Sequence, residues 1–127
     1  MSKTIVNTSN APAPIGPYSQ AVKAGGFLFL SGQVAIVPGT SDLNNGNIAE
    51  ETKQVMENLK AVLNQAGLTF NDVVKTTIFL KEMSSFTEVN AEYGKYFEMD
   101  FPARETVAVK SLPKDVNVEI SMIALSE

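Results

Sequence analysis

Residues 47–80 carry the clearest structural pattern in the chain, and they read NIAEETKQVMENLKAVLNQAGLTFNDVVKTTIFL. Apolar residues recur at helical spacing over residues 48–66. Asn47 can cap the first turn, and Gly67 can supply the left-handed residue that ends the helix. Residues 73–80 are rich in β-branched side chains, which favour a strand. The stretch therefore predicts a helix over residues 48–66 followed by a central strand.

Shorter patterns on both sides of this stretch complete an α+β fold with one domain over residues 1–127. The predicted strands are 21–23, 27–31, 73–80, 105–110 and 116–125, and the second predicted helix is 86–97. The Pro-rich segment 3–17 is expected to be extended and irregular. The short connection 112–115 favours a hairpin between the last two strands.

The predicted helices cover one face of the sheet and leave the opposite face uncovered. We expect Leu28 and Leu30, with alternating residues of other strands, to lie on that uncovered face. An exposed apolar face of this kind is usually buried by self-association. The pattern therefore predicts a homo-oligomer.

The composition excludes several kinds of site. The 127 residues include no Cys and no His, so disulfides, a conventional zinc site and a Ser-His-Asp triad cannot be built. Acid–base chemistry is left to carboxylates, Lys, Tyr, hydroxyls or water. Ten Lys and Arg against fourteen Asp and Glu give a net charge of −4, which disfavours nucleic acid as a partner. The chain has neither a signal-peptide pattern nor a membrane-spanning apolar run, and we expect a cytoplasmic protein without membrane contact.

Arg104 and Glu119 are the leading candidates for a functional site. Arg104 ends the tetrapeptide FPAR, and a guanidinium at the start of a strand can bind a carboxylate through two parallel hydrogen bonds. Glu119 lies in the apolar run 118–125, where strand alternation predicts that its side chain points away from the main core. Arg104 and Thr106 should share one side of their strand. The pair indicates a pocket for a small organic acid, and a structural ion pair is the alternative interpretation.

Three other polar residues are weaker candidates when taken singly. Tyr18 follows the Pro-rich arm and is more often a packing residue, although a tyrosine there can also close a neighbour's pocket. Ser31 has no histidine to activate it as a nucleophile. Asn90 in the middle of a helix is most simply a surface residue.

Several short motifs occur in the order found in a known family. They are IGPYSQ at 15–20, SGQ at 31–33, NLKAVL at 58–63 with AGL at 66–68, VNAEY at 89–93, FPAR at 101–104, and LPKD at 112–115 followed by VEI at 118–120. Through them the chain resembles the RidA family of reactive intermediate deaminases, also called the YjgF family, over nearly its whole length. The resemblance implies a chorismate-mutase-like mixed β-sheet with two helices on one face, the last strand inside the sheet, and a homotrimer with a central barrel and clefts between subunits.

The resemblance also implies an activity, the hydrolysis of 2-imino acids and enamines such as 2-aminoacrylate and 2-aminocrotonate to 2-oxo acids and ammonia. Such a 2-iminobutanoate/2-iminopropanoate deaminase needs no cofactor and no metal. Arg104 matches the family's carboxylate anchor, and Glu119 matches the acid that positions or activates water. The substrate-binding positions that the resemblance implies are Tyr18, Ser31, Gly32, Asn90, Arg104 and Thr106, with Gly32 and Thr106 acting through their backbones.

Three departures from the family pattern bear on substrate preference, and one of them is Lys110-Ser111 in place of a commoner Ala-Arg pair. Thr106 stands where many relatives have Cys, and Ser121 stands where many have a second Glu. A rival hypothesis is a non-catalytic trimer that binds a 2-oxo acid in the same cleft and acts through a partner protein. Ribonuclease activity, ascribed to some relatives, is disfavoured by the acidic composition and the missing histidine.

Overall fold

The computed structural model describes residues 2–127, which form a six-stranded mixed sheet and two α-helices. The elements in chain order are β1 (Thr4–Val6), β2 (Ala21–Ala24), β3 (Phe27–Gln33), α1 (Ile48–Gln65), β4 (Val73–Leu80), α2 (Phe86–Gly94), β5 (Ala103–Ala108) and β6 (Val118–Leu125). The strand order is β1-β2-β3-β6-β4-β5, and every neighbouring pair is antiparallel except the parallel pair of β4 and β5. The α+β prediction is confirmed.

Helix α1 forms as its sequence predicts. The Asn47 side chain accepts a hydrogen bond from the Glu50 backbone N–H at 2.8 Å, and Gly67 beyond the helix has a φ of +78°. The helix packs on β3 and β6 and contacts α2. Its buried face includes Val55 and Leu59, which join the main core. The helix thereby fixes the two strands from which one of the candidate pockets is built.

Strand β6 shows the predicted alternation. Val118, Ile120, Met122 and Ala124 are buried against the helices, whereas Glu119 lies on the other face and is only partly buried. On that open face the exposed apolar side chains of β3 are Phe27 and Phe29. The prediction that Leu28 and Leu30 lie there is wrong, because both are buried in the core.

The predicted hairpin between the last two strands is also wrong. Strand β5 pairs in parallel with β4 at one edge of the sheet, and β6 lies between β3 and β4. The alternating apolar side chains of β6 are best buried in the middle of the sheet, while the largely exposed β5 suits an edge. The connection after β5 therefore carries the chain across β4 rather than into a tight turn.

Several element boundaries differ from the predicted ones. Residues 4–6 of the supposedly irregular arm form β1 on the edge of the sheet, paired with β2. Helix α2 ends at Gly94 rather than at residue 97, and β6 begins at Val118 rather than at residue 116. Strand β5 begins two residues earlier than predicted, so Arg104 lies inside the strand.

Candidate functional site in two pockets

Helix α2 holds the guanidinium of Arg104. Phe86, Asn90 and Tyr93 lie on one face of this helix because they are spaced at i, i+4 and i+7. Arg104 Nη1 donates to Asn90 Oδ1 at 2.7 Å, and its guanidinium carbon lies 5.6 Å from the Phe86 ring centre and 5.3 Å from that of Tyr93. Rings at this range attract a cation. These contacts restrict the guanidinium, but the hydrogen bond to Asn90 uses only Nη1, so other N–H groups of Arg104 are available to a carboxylate.

Tyr93 is itself fixed from below. Its hydroxyl lies 2.8 Å from Thr76 Oγ1 on β4, and both residues are buried. Burial raises the pKa of Tyr93, so the phenol stays neutral near pH 7. Beside it an open cavity of about 500 Å³ is lined by Asn90, Tyr93, Gly94, Phe101, Pro102 and Arg104. The cavity is wide enough for a small carboxylate.

A second pocket surrounds Glu119. This cavity of about 400 Å³ is lined by Ile15, Tyr18, Ser31, Gly32, Val34, Ile36, Pro113, Lys114 and Glu119. Burial raises the pKa of Glu119 above that of an ordinary carboxyl group. Within residues 2–127 no Lys or Arg forms an ion pair with this carboxylate. Glu119 is therefore an acid that keeps its proton more readily than most.

The Glu119 carboxylate rests directly over Gly32. A Cβ atom placed on Gly32 would come within 2.1 Å of Glu119 Oε2 and 2.9 Å of its Cδ. The sheet is irregular here, since the pairing of β3 with β6 shifts register between Leu30 and Gln33. A bulge at such a position commonly re-aims a side chain. Only glycine at position 32 leaves this space to the carboxylate.

The arm before β2 is held against this pocket by polar contacts. The Gln20 side chain accepts from the Thr8 N–H at 2.7 Å and donates to the Thr8 carbonyl at 3.0 Å. Ser31 Oγ donates to the Ser19 carbonyl at 2.5 Å. These bonds place Tyr18, whose side chain is exposed, at the rim. Because its hydroxyl is bonded to the backbone, Ser31 holds the arm in place.

Within one chain the two pockets lie on opposite faces of the sheet. Arg104 pairs with the buried Thr76 on the helix-covered face, whereas Glu119 pairs with Phe79, whose side chain projects to the other face. The chain therefore groups Tyr18, Ser31 and Gly32 with Glu119, and Asn90 with Arg104. Since Arg104 contacts Asn90 and not Glu119, the two are not a structural ion pair within the chain.

Thr106 lies on the same side of β5 as Arg104, two residues further on. Its hydroxyl is buried and has no hydrogen-bond partner in the part of the chain that the structure describes. Buried hydroxyl groups nearly always have one. The Thr106 hydroxyl is thus a buried polar group that lacks its usual hydrogen bond within residues 2–127 of one chain, two residues from Arg104.

Sequence reasoning missed Glu51, Phe86, Tyr93 and Lys114. Phe86 and Tyr93 carry the helical spacing that predicted α2, but nothing in the sequence alone shows that they face Arg104. Glu51 is completely buried, and its carboxylate accepts hydrogen bonds from Asn117 and Val118. Its signal was available, because it lies four residues before Val55 on the apolar stripe of α1. A charged residue on the apolar stripe of a helix indicates a buried acid with specific partners.

Two kinds of feature are absent from residues 2–127. No group of three or more His, Cys, Asp or Glu side chains is arranged to hold a metal ion. Neither helix combines the length and the apolar composition that crossing a membrane requires.

The fold and the pockets define a class of small α+β protein in which an anchored guanidinium and a half-buried carboxylate line separate surface cavities. The family model described as Endoribonuclease L-PSP matches residues 8–126. A RutC family protein of Pyrococcus horikoshii is 51% identical over 98% of this chain and 99% of its own. The chain belongs to the endoribonuclease L-PSP family, which is the RidA or YjgF family that its motifs predict.

Solved structures agree with this assignment. The Rid family protein YyfA of Yersinia pestis is 48% identical, with a TM-score of 0.94 over 98% of this chain and 99% of that one. TdcF of E. coli, solved with bound serine, is 35% identical, with a TM-score of 0.92 over 98% and 99% of the two chains.

Proposed function

We propose that this protein hydrolyses 2-imino acids and their enamine tautomers to 2-oxo acids and ammonia. The observation that carries the proposal is Glu119, a half-buried carboxylate without a paired cation in residues 2–127, resting over Gly32 in an open pocket. A group of this kind is costly for folding, and its raised pKa suits a carboxyl group that both accepts and donates a proton. Arg104 has N–H groups that are not bonded to Asn90, and these can anchor the carboxylate of the substrate.

The proposal requires two subunits for each cleft, because Arg104 and Glu119 face opposite ways in one chain. Arg104 lies on the edge strand β5, and Phe101 beside it is 65% exposed. On the far side of the molecule Ile15, at the rim of the Glu119 pocket, is 74% exposed. Two different apolar rims favour head-to-tail contacts, which form a ring where the rotation between subunits closes and an open filament where it does not. We infer that Arg104 of one subunit meets Glu119 of the next, and the family resemblance favours a ring of three.

In the proposed cleft, Arg104 binds the substrate carboxylate and places the imine carbon beside a water molecule held by Glu119. The substrate reacts as its protonated imine, and the carboxylate of Glu119 takes one proton from the water as the water oxygen bonds to C2, which gives a carbinolamine. The Glu119 proton then passes to the nitrogen, the C2–N bond breaks, and the hydroxyl on C2 returns its proton to Glu119 as the C2=O bond forms. Glu119 passes that proton to the released ammonia, so that one protonated imine and one water give one 2-oxo acid and one ammonium ion. An enamine enters the same route after protonation at C3.

This reaction needs little beyond positioning and proton transfer. An imine carbon is already electrophilic, and the hydrolysis is neutral in electrons, so orientation and a placed water supply the main acceleration. The bound carboxylate neutralises Arg104, so the effect of burial on the pKa of Glu119 persists in the complex. Glu119 can then act as base and acid in turn.

The serine bound to TdcF supports a ligand of this class. Serine shares with a 2-imino acid the carboxylate and the nitrogen on C2, and TdcF is 35% identical to this chain. Thr106, with its unpartnered hydroxyl, lies two residues from Arg104. The serine bound to TdcF favours a small 2-amino or 2-imino carboxylate as the ligand of this chain.

The test couples the protein to a pyridoxal-phosphate-dependent threonine or serine dehydratase, which releases the enamine, and measures the appearance of the 2-oxo acid. We expect acceleration by the unchanged protein and none by Arg104→Ala or Glu119→Gln. Calorimetry with 2-oxobutanoate accompanies the assay. Binding without any acceleration would replace the proposal with the non-catalytic binding trimer.

A further inference from the structure

Glu51 is a buried acid that the proposed reaction does not use. Its side chain lies in α1 with no exposed surface. Oε2 accepts from the backbone N–H groups of Asn117 at 2.8 Å and Val118 at 3.2 Å, and Oε1 accepts from Asn117 Nδ2 at 2.8 Å. Residues 2–127 provide no cation within ion-pair distance of it. A buried charge of this kind is costly unless its hydrogen bonds offset the loss of water.

The two residues that Glu51 binds come directly before Glu119. The chain reaches them from a turn in which Lys114 and Asp115 have φ values of +57° and +54°, which are unfavourable for residues other than glycine. Such a turn does not by itself fix the start of the next strand. The pairing of β3 with β6 reaches only as far as Gln33 and Ile120, so it does not include Val118 or Glu119. On the other side β4 pairs with both residues, and the Lys81 N–H donates to the Asn117 carbonyl at 3.0 Å. Glu51 thus supplies further hydrogen bonds to a segment that is paired on one side only.

We propose that Glu51 is a positioning residue for Glu119. By holding the backbone of residues 117 and 118, it sets where the next side chain leaves the strand and so keeps the Glu119 carboxylate over Gly32. Glu119 Oε2 lies 2.1 Å from the point where a Cβ atom on Gly32 would stand, so the carboxylate lies very close to the Gly32 backbone. A small shift of the backbone at residues 117 and 118 would therefore move the carboxylate from this place. The catalytic consequence rests on the proposed function, whereas the positioning itself does not.

Two substitutions at position 51 separate the effect of losing the hydrogen bonds from the effect of changing the side-chain volume. In Glu51→Gln the amide oxygen can accept both backbone N–H groups, and the amide nitrogen can donate to Asn117 once that side-chain amide turns over. Glu51→Leu fills a similar volume but accepts nothing, leaving two N–H groups without partners. Val55→Ala is the matched control, because it weakens the same buried face of α1 and leaves in place the Glu51 side chain that forms the hydrogen bonds to residues 117 and 118.

The expected result is a loss of turnover without a loss of ligand binding. Glu51→Leu should lower kcat by about tenfold or more while the Kd for 2-oxobutanoate, set mainly by Arg104, changes by less than about twofold. Glu51→Gln should restore most of the rate. Val55→Ala should lower Tm but leave kcat unchanged at a temperature where the protein is folded.

A second readout is independent of any enzymatic activity. In protein labelled with ¹³C at the Glu carboxyl carbons, the Glu119 signal is assigned by its loss in Glu119→Gln and followed as the pH is varied. The charged groups facing it are Lys114 in its own pocket and, in the proposed trimer, Arg104 of an adjacent subunit. Glu51→Leu should move the titration midpoint of Glu119, whereas Glu51→Gln and Val55→Ala should not.

The outcomes distinguish this proposal from the proposed function. An unchanged kcat and an unchanged Glu119 titration in Glu51→Leu, at a loss of Tm matching that of Val55→Ala, would show that Glu51 is only structural. A protein without deaminase activity would refute the proposed function, while the titration would still decide the positioning role. If Glu51→Leu does not fold, Asn117→Ala removes one of the three contacts and should shift kcat and the titration in the same directions by less.

Discussion

Replacing Gly32 with Ala is the sharpest perturbation of the Glu119 pocket. The added methyl carbon would lie 2.1 Å from Glu119 Oε2, 2.9 Å from Cδ and 3.1 Å from Cγ. Gly32 is not among the glycines with a left-handed backbone, so alanine fits the local conformation. The atoms in the way belong to the end of a flexible side chain. The carboxylate should therefore move while the fold remains.

The size of the movement follows from the contact distances. Ordinary close carbon–oxygen contacts are about 3.3 Å, so Oε2 must retreat by about 1.2 Å from its place over residue 32. A misplacement of about 1 Å in a catalytic group can cost about 10²-fold in rate. Stability should change by less than about 1 kcal/mol, because alanine also restricts the unfolded chain. We expect kcat to fall by about 10²-fold with little change in Tm.

The assay compares 2-oxo acid release by the dehydratase alone, with the unchanged protein and with Gly32→Ala. Gly46→Ala is the control, since a Cβ at position 46 meets no atom within 4 Å. A kcat within about threefold of the unchanged protein would refute the reasoning that ties the carboxylate's place to turnover.

Three other predictions concern the same reaction. Burial raises the pKa of Glu119, and its carboxylate form takes the proton from water, so kcat should fall as the pH drops through a midpoint above the ordinary 4.5. A pH–rate profile with a midpoint at or below that value would count against this role. Arg104→Lys should lower kcat/KM by about 10²-fold, because an ammonium group can neither form two parallel hydrogen bonds to a carboxylate nor stack on the rings of Phe86 and Tyr93. Near-normal kinetics would exclude a bidentate anchor. If the Thr106 hydroxyl contacts the ligand, Thr106→Val should weaken the binding of 2-oxobutanoate in calorimetry by about fivefold, and Thr106→Ser should bind it normally. Equal affinities of Thr106→Val and the unchanged protein would show that the hydroxyl makes no ligand contact.

The parts of the fold that could be predicted are those with local signals. Helix α1 follows from its cap, its apolar period and Gly67, and β4 follows from its run of β-branched residues. The place of β6 could not be read from the short connection before it, because it depends on burying both edges of an apolar strand in the middle of the sheet. The three residues of β1 are too few to show a period. The run of four apolar residues in 27–30 gives no indication of which two face the helices.

The sequence predicted the directions in which the site side chains point, but not which residues they contact. Strand alternation correctly turned Glu119 away from the core and put Arg104 and Thr106 on one side. The contacts of Arg104 with α2 depend on how that helix packs, which periodicity alone does not give. Glu51 carries a sequence signal, a charge on the apolar stripe of α1, but its partners are more than sixty residues away, so the sequence alone does not show what it binds.

The central claim is that each cleft takes Arg104 from one subunit and Glu119 from the next. Mixing Arg104→Ala and Glu119→Gln proteins tests it, once the two inactive proteins have been unfolded and refolded together in equal amounts. A cleft that draws its intact Arg104 from one protein and its intact Glu119 from the other is complete, so random assembly should restore about one quarter of the unmixed protein's activity. Mixed oligomers, verified by mass spectrometry, that show no activity would contradict the shared cleft.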